Sequence, residues 1–192
     1  MAFVLSDDAK MIAERILDGE VIALPTDTVY GFSCLANSES AVNMLQNIKN
    51  ETECRSYILL VSKNYDLTKL MADKEQIDFV QKNSPNPVSF IVNKNPDLLL
   101  AKTFSLPTIA IRIPNDEFLQ SVLDKVGFMI STSCNIHGEQ NINNPQEIME
   151  KFSEYNIGVL FGDVKANVSS TLVDITGESF KILRQGEYIV KI

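Results

Sequence analysis

Hydroxyl and carboxylate side chains gather in three short stretches of this chain: Thr26-Asp27-Thr28, Ser131-Thr132-Ser133 with Asn135, and Ser169-Ser170-Thr171. Each lies at the boundary of an apolar run, where a β-strand meets a turn. Neutral hydroxyls supply donors and acceptors that can fix a polar small molecule, and arginine adds charge and a planar fork for carboxylate or phosphate. The arginine candidates are Arg55, Arg112 and Arg184. Arg112 interrupts the run Ile109-Ala110-Ile111 and Ile113, and a charge inside an apolar strand needs a partner or a wet cleft. Ser, Thr, Asn and Asp are also the usual turn and cap residues, so each cluster alone has a structural explanation too.

Other routes to chemistry are closed. His137 is the only histidine, and no serine or cysteine motif around it resembles an activated nucleophile, so it reads as an ordinary loop side chain. The phosphate-cradling patterns G-x-x-x-x-G-K-[ST] and G-x-G-x-x-G are absent, so a nucleotide would have to be held differently. Cys34, Cys54 and Cys134 are odd in number and lack a short pairing spacing, which argues for reduced thiols rather than a disulfide framework or a zinc site.

The polar clusters need elements to position them. Between Ser6 and Asp18 the apolar residues Ala9, Ile12, Ala13, Ile16 and Leu17 fall at helical spacing, with Gly19 as a stop. Val21 to Leu24 then reads as a buried strand. Ser38 caps a second helix with Ala41, Val42, Leu45 and Ile48 on its inner face, ending at Lys49, a cation suited to a helix C-terminus. Tyr57 to Val61, Val88 to Val92 and Thr108 to Ile113 read as strands, with a helix around Ile77 and Val80 between the first two. Asp116 opens a helix carrying Leu119, Val122 and Leu123, Phe128 to Ile130 is a strand, and Pro145 behind Asn144 starts another helix. Val159 to Phe161, Thr171 to Ile175, Phe180 to Leu183 and Tyr188 to Val190 read as strands joined by turns too short for crossover helices. The sheet must therefore be mixed, and the chain is expected to form one α/β domain over residues 1–192, with helices packed on a twisted mixed sheet.

Composition sets the outer limits. The chain has 192 residues, 45% hydrophobic and 22% charged, enough for a sizeable core without disulfides or metal. No apolar run approaches the roughly 20 residues of a membrane span. The N-terminus meets Ser6, Asp7 and Asp8 after a few apolar residues, the wrong charge order for a secretory signal, which points to the cytoplasm. A formal net charge of -8 with no dense basic run disfavours nonspecific nucleic-acid binding but not a local anion site.

Taken in register, five segments resemble the threonylcarbamoyl-AMP synthase family, the YrdC-like proteins, in their short form. They are Pro25-Thr26-Asp27-Thr28-Val29-Tyr30-Gly31, Thr108-Ile109-Ala110-Ile111-Arg112-Ile113-Pro114, Ser131-Thr132-Ser133-Cys134-Asn135-Ile136-His137-Gly138, Ser170-Thr171-Leu172-Val173-Asp174 and Ile182-Leu183-Arg184-Gln185-Gly186. The resemblance implies a mixed sheet with a concave cavity, in which threonine, bicarbonate and ATP give threonylcarbamoyl-adenylate and pyrophosphate. The product would feed downstream threonylcarbamoyl transferase enzymes that modify adenosine in tRNA, and a contact with tRNA or double-stranded RNA is a further partner the family suggests. By position, Thr28, Arg112, Ser131 and Ser170 would contact threonine, and Lys49, Arg55, Thr108, Ser133, Asn141 and Arg184 would hold ATP. Magnesium would come with the triphosphate, held more by phosphate oxygens than by a protein cage. No side chain need act as a nucleophile, because positioning and charge neutralisation suffice.

The chain departs from the family's pattern most sharply after the second helix. A Lys-x-Arg pair usually follows the second helix, and here Lys49 is followed by Glu51, with Arg55 four residues further on. Ser169 also stands where an acidic residue often precedes the Ser-Thr pair. Two alternatives follow: a noncatalytic YrdC-like relative that binds RNA or a nucleotide, and a carbamoyl-adenylate domain like that of hydrogenase-maturation carbamoyltransferases.

Overall fold

The structure is a computed structural model and describes residues 1–51, 57–101, 104–166 and 168–191. Its strands are β1 (Phe3–Leu5), β2 (Ile22–Leu24), β3 (Gly31–Cys34), β4 (Ile58–Val61), β5 (Val88–Asn93), β6 (Thr108–Arg112), β7 (Phe128–Ser133), β8 (Gly158–Leu160), β9 (Thr171–Asp174) and β10 (Lys181–Arg184). The helices are α1 (Ala9–Leu17), α2 (Glu39–Lys49), α3 (Lys74–Lys82), α4 (Glu117–Val126) and α5 (Pro145–Lys151). All the strands join one mixed sheet in the order β1-β8-β2-β3-β7-β4-β6-β5-β9-β10.

The helices begin where the sequence marks them. Asp8 caps α1 by accepting from the Lys10 and Met11 amides, Ser38 caps α2, and Asn144 caps α5 with Pro145 just behind it. Asn50 ends α2 in the left-handed region at φ 51°, a conformation asparagine tolerates better than most residues. Among the described residues no helix is long and apolar enough to cross a membrane.

Period-two alternation sorts the sheet into two faces. One carries Phe32, Leu59, Phe90, Ile109, Ile111, Ile130 and Val173, which are packed in one core cluster with Ala41, Val42, Leu45 and Ile48 of α2. The other carries Ile22, Leu24, Leu60 and Met129, packed against Ile12 and Ile16 of α1 and Leu119, Val122 and Leu123 of α4. Strand register extends this second face through Gly31 opposite Ser133, Ile58 opposite Ser131 and Ala110, Leu60 opposite Arg112, and Ser89 opposite Leu172. That extension is where the polar strand-end residues converge.

Three strand assignments differ from the sequence reading. Phe3–Leu5 and Gly31–Cys34 are strands that their short, weakly alternating sequences do not announce; pairing with β8, β2 and β7 creates them. Tyr188 to Val190 is not a strand. The Tyr188 carbonyl bonds to side chains instead, accepting from Thr171 Oγ1 at 2.7 Å and from Gln185 Nε2 at 3.0 Å. Nor do the last strands form a consecutive run: β8 lies between β1 and β2, whereas β9 lies between β5 and β10, and only β9 and β10 make a hairpin.

The connection from Leu160 to Thr171 thus joins the second strand position of the sheet to the ninth. Seven strand spacings amount to about 34 Å on a flat sheet. That is close to the full extension of the connecting segment, about 36 to 40 Å. Bends at Lys165 and Val168 shorten that reach, so the sheet cannot lie flat, and second-face residues from β3 through β10 line one shared cavity.

Candidate functional site

The turn after β2 is built by one hydroxyl. Thr26 Oγ1 accepts from the Thr28 and Val29 amides at 3.0 and 3.2 Å and donates to the Val29 carbonyl at 2.7 Å. Its bonding capacity is thereby committed to the turn. Thr28 Oγ1 lies 3.0 Å from this crowded oxygen and accepts from Arg112 Nη1 at 2.7 Å. The Thr28 hydroxyl proton therefore remains for a ligand acceptor, which competes only with Thr26.

Arg112 reaches this turn from the end of β6 and is almost wholly buried. Its Nη2 stands 3.1 Å from Asp27 Oδ1, an ionic contact without hydrogen-bond alignment, and 3.4 Å from Thr26 Oγ1. The other Asp27 oxygen accepts from the Asn115 amide at 3.1 Å. Among the described residues Arg112 Nε is buried with no hydrogen-bond partner. Burial lowers the Arg112 pKa, Asp27 opposes that shift, and Arg184 adds to it. Arginine stays protonated nonetheless.

Arg184 comes from β10, where a bulge after Ile182 sets Arg184 rather than Leu183 opposite Leu172. Its Nε donates to the Ser170 carbonyl at 3.0 Å and its Nη2 to Ser170 Oγ at 3.3 Å. Ser170 Oγ also shares a 2.8 Å hydrogen bond with Ser89 Oγ on β5. Burial lowers the Arg184 pKa as well. Gly186 makes this approach possible, because a Cβ there would stand 2.5 Å from the Ser169 carbonyl oxygen and 2.6 Å from the Thr171 amide nitrogen.

These groups enclose a cavity of about 180 Å³ whose wall includes Thr28, Arg112, Ser131, Ser133, Ser170 and Arg184, six of the residues expected from the sequence. Gly31 forms part of it, and a Cβ there would come within 2.5 Å of Ser131 Oγ. The remaining expected residues lie elsewhere. Thr108 shares the strand face of Arg112 but is not on this wall. Asn141 lines a separate polar cavity of about 780 Å³; its Nδ2 donates to Asn143 Oδ1 at 2.6 Å, and its Oδ1 is buried without a partner among the described residues. Lys49 is buried, its ammonium donating to the Ser133 and Asn135 carbonyls and to Asn135 Oδ1. Arg55 lies outside the described residues. Glu51 is not on the wall either: its carboxylate is buried, accepts from the Tyr57 hydroxyl and faces His137 Nδ1 at 3.8 Å.

Asp27, Ser89 and Tyr57 contribute to the site although the sequence assigned them no role there. Asp27 sits inside the singled-out turn, and a carboxylate flanked by two threonines is a usable signal for a buried counter-charge. Ser89 carried a fainter one, a lone hydroxyl within an apolar strand. The cavity's described wall holds two guanidiniums, one of them matched by Asp27, so it favours an anionic ligand with several acceptor oxygens. Among the described residues no group of three or more His, Cys, Asp or Glu side chains could hold a metal ion.

Similarity to known proteins bears on the family and the fold. The model of the Sua5/YciO/YrdC family, described as "Telomere recombination", matches residues 14–186. A threonylcarbamoyl-AMP synthase of Yersinia enterocolitica is 27% identical over 178 residues, covering 88% of this chain and 93% of that protein. Its Yersinia pestis counterpart is 26% identical over 187 residues, covering 93% and 95%. In structure, Escherichia coli YciO superposes with a TM-score of 0.83 at 22% identity, covering 100% of this chain and 98% of its own. Sua5 of P. abyssi complexed with L-threonine also gives 0.83 at 22% identity, and this chain spans 57% of it while 96% of this chain is covered. The structural likenesses speak to the fold, and the family match extends it to descent: the chain belongs to the Sua5/YciO/YrdC family.

Proposed function

We propose that this chain is an L-threonylcarbamoyladenylate synthase, a nucleotidyltransferase acting on L-threonine, bicarbonate and ATP in tRNA threonylcarbamoyladenosine formation. The observation that carries the reading is the buried Arg112, held by Asp27 and Thr28 on the wall of a cavity that Arg184 and Ser170 complete. The names of the Yersinia relatives and the L-threonine complex of Sua5 support it.

In this reading Arg112 and Thr28 take the threonine carboxylate, and Ser131 and Ser170 take its remaining polar groups. The threonine amine attacks carbon dioxide derived from bicarbonate, and loss of its proton leaves a carbamate. A carbamate oxygen then attacks the α-phosphorus of ATP, and the bond to the bridging oxygen breaks to release pyrophosphate. Arg184 would offset charge on that path, and magnesium would arrive as part of the ATP substrate. The protein's share is orientation and charge neutralisation. A pyrophosphate-release assay that omits threonine, bicarbonate or ATP in turn tests the proposal: release should need all three, and release without threonine would overturn the roles of Arg112 and Thr28.

A second reading, a noncatalytic relative that binds a nucleotide, is favoured by one observation. The end of α2 offers an occupied Lys49 and a buried Glu51 carboxylate where the family usually carries two cations. Measurable AMP binding with no coupled pyrophosphate release would select this reading.

A further inference from the structure

The end of α2 is tied to the loop that follows β7. Lys49 Nζ donates to the Ser133 carbonyl at 2.9 Å and to the Asn135 carbonyl and Asn135 Oδ1 at 3.0 Å each. An ammonium has three protons, and three oxygens stand at hydrogen-bond distance from this one. The same Asn135 Oδ1 accepts from Ser133 Oγ at 2.6 Å, and Asn135 Nδ2 donates to the Glu139 carbonyl at 2.7 Å. The His137 amide closes the loop back onto the helix by donating to the Lys49 carbonyl at 2.9 Å. Lys49 is 3% exposed, and lifting its ammonium toward a ligand would take a partner from the half-buried Ser133 and Asn135 carbonyls, leaving the Asn135 amide on the first. Its place at the helix C-terminus favours the charge where it is.

We infer that Lys49 is a positioning residue, which holds the Ser133–Glu139 loop on the cavity wall through Asn135 and does not itself take a phosphate. One consequence concerns polarity. Ser133 spends its hydroxyl proton on Asn135 Oδ1, so it turns an acceptor oxygen to the cavity and suits a ligand N–H or O–H. Glu51 continues the same arrangement on the other side of Asn50, accepting from Tyr57 of the wall and facing His137 of the loop.

The inference rests on the nucleotide-binding reading for its affinity arm and is independent of it for its loop arm. Lys49→Met and Asn135→Ala are compared with the wild type in ATP binding, AMP binding and hydrogen exchange of the peptide spanning residues 133–139. A positioning role predicts faster exchange in both variants, about tenfold weaker binding of ATP and AMP alike, and a double variant little worse than the worse single one. A phosphate contact predicts a loss confined to ATP, additive effects and unchanged exchange, and that result overturns the inference. Should Lys49→Met fail to fold, Asn135→Ala decides alone: wild-type exchange with wild-type affinities sinks the inference. A wild-type protein that binds neither nucleotide refutes the nucleotide-binding readings instead, and the exchange arm still decides the role of Lys49.

Discussion

Arg112 shows how much of a residue's chemistry is decided by its neighbours. The charge of this deeply buried guanidinium is compensated by Asp27 3.1 Å away and by Thr28 Oγ1, which accepts a hydrogen bond from it. Replacing Arg112 with Lys preserves the charge and loses the fork. We expect Arg112→Lys to raise the KM for threonine by roughly 10- to 100-fold, with the KM for ATP changed far less, as measured by pyrophosphate release. Asp27→Asn removes the counter-charge and leaves the shape. It should destabilise the fold by about 3 kcal/mol, the order found when one partner of a buried ion pair is removed. The midpoint of urea unfolding measures this, and an unchanged midpoint would mean that Asp27 is dispensable to Arg112.

At the scale of elements, the site depends on strands arriving in register and on the joints that hold them. One joint links the end of β4 to α4: Ser62 Oγ donates to Asp124, Asn64 Nδ2 donates to the same oxygen at 3.0 Å, and Gln120 Oε1 accepts from the Lys63 amide at 2.8 Å. The Ser62 hydroxyl, and after it Asn64, holds the Asp124 carboxyl below its ordinary value of 3.8. A carboxyl depressed in the folded state contributes stability above its unfolded pKa, and the contribution fades as pH falls through the lower folded value. Ser62→Ala should therefore be less stable than wild type near neutral pH, with a gap that narrows as pH falls below about 4. Urea midpoints at several pH values check this, and a gap that widens in acid would contradict the assignment.

The whole molecule adds two properties that no element has alone. Curling brings residues from β3, β4, β6, β7 and β10, together with the β2–β3 turn and Ser170 beside β9, around one small cavity. The whole chain has a formal net charge of -8, whereas the cavity's described wall carries two arginines. Nonspecific duplex RNA should accordingly fail to be retarded in a gel-shift experiment at about 0.15 M salt, where the Debye length is about 8 Å. Retention at that salt would point to a basic surface distinct from the cavity.

Much of this architecture was legible in the linear chain. Asp8, Ser38, Asp116 and Asn144 act at helix starts because capping is local, and alternation in Val88 to Val92 and Thr108 to Ile113 marks buried strands because side chains on a strand point to opposite faces by turns. By itself the sequence thus determined the mixed α/β class, most of the elements and the segments that meet at the cavity. Only the tertiary structure decided that β8 and β9 lie far apart in one curled sheet, that Asp27 serves Arg112 from 85 positions away (112 - 27) and that Lys49 is occupied by Ser133 and Asn135. The physical reason is the same in each case: strand pairing and hydrogen-bond capacity are shared among partners distant in sequence, so a residue's type states what it can donate or accept, and packing determines which partner receives it.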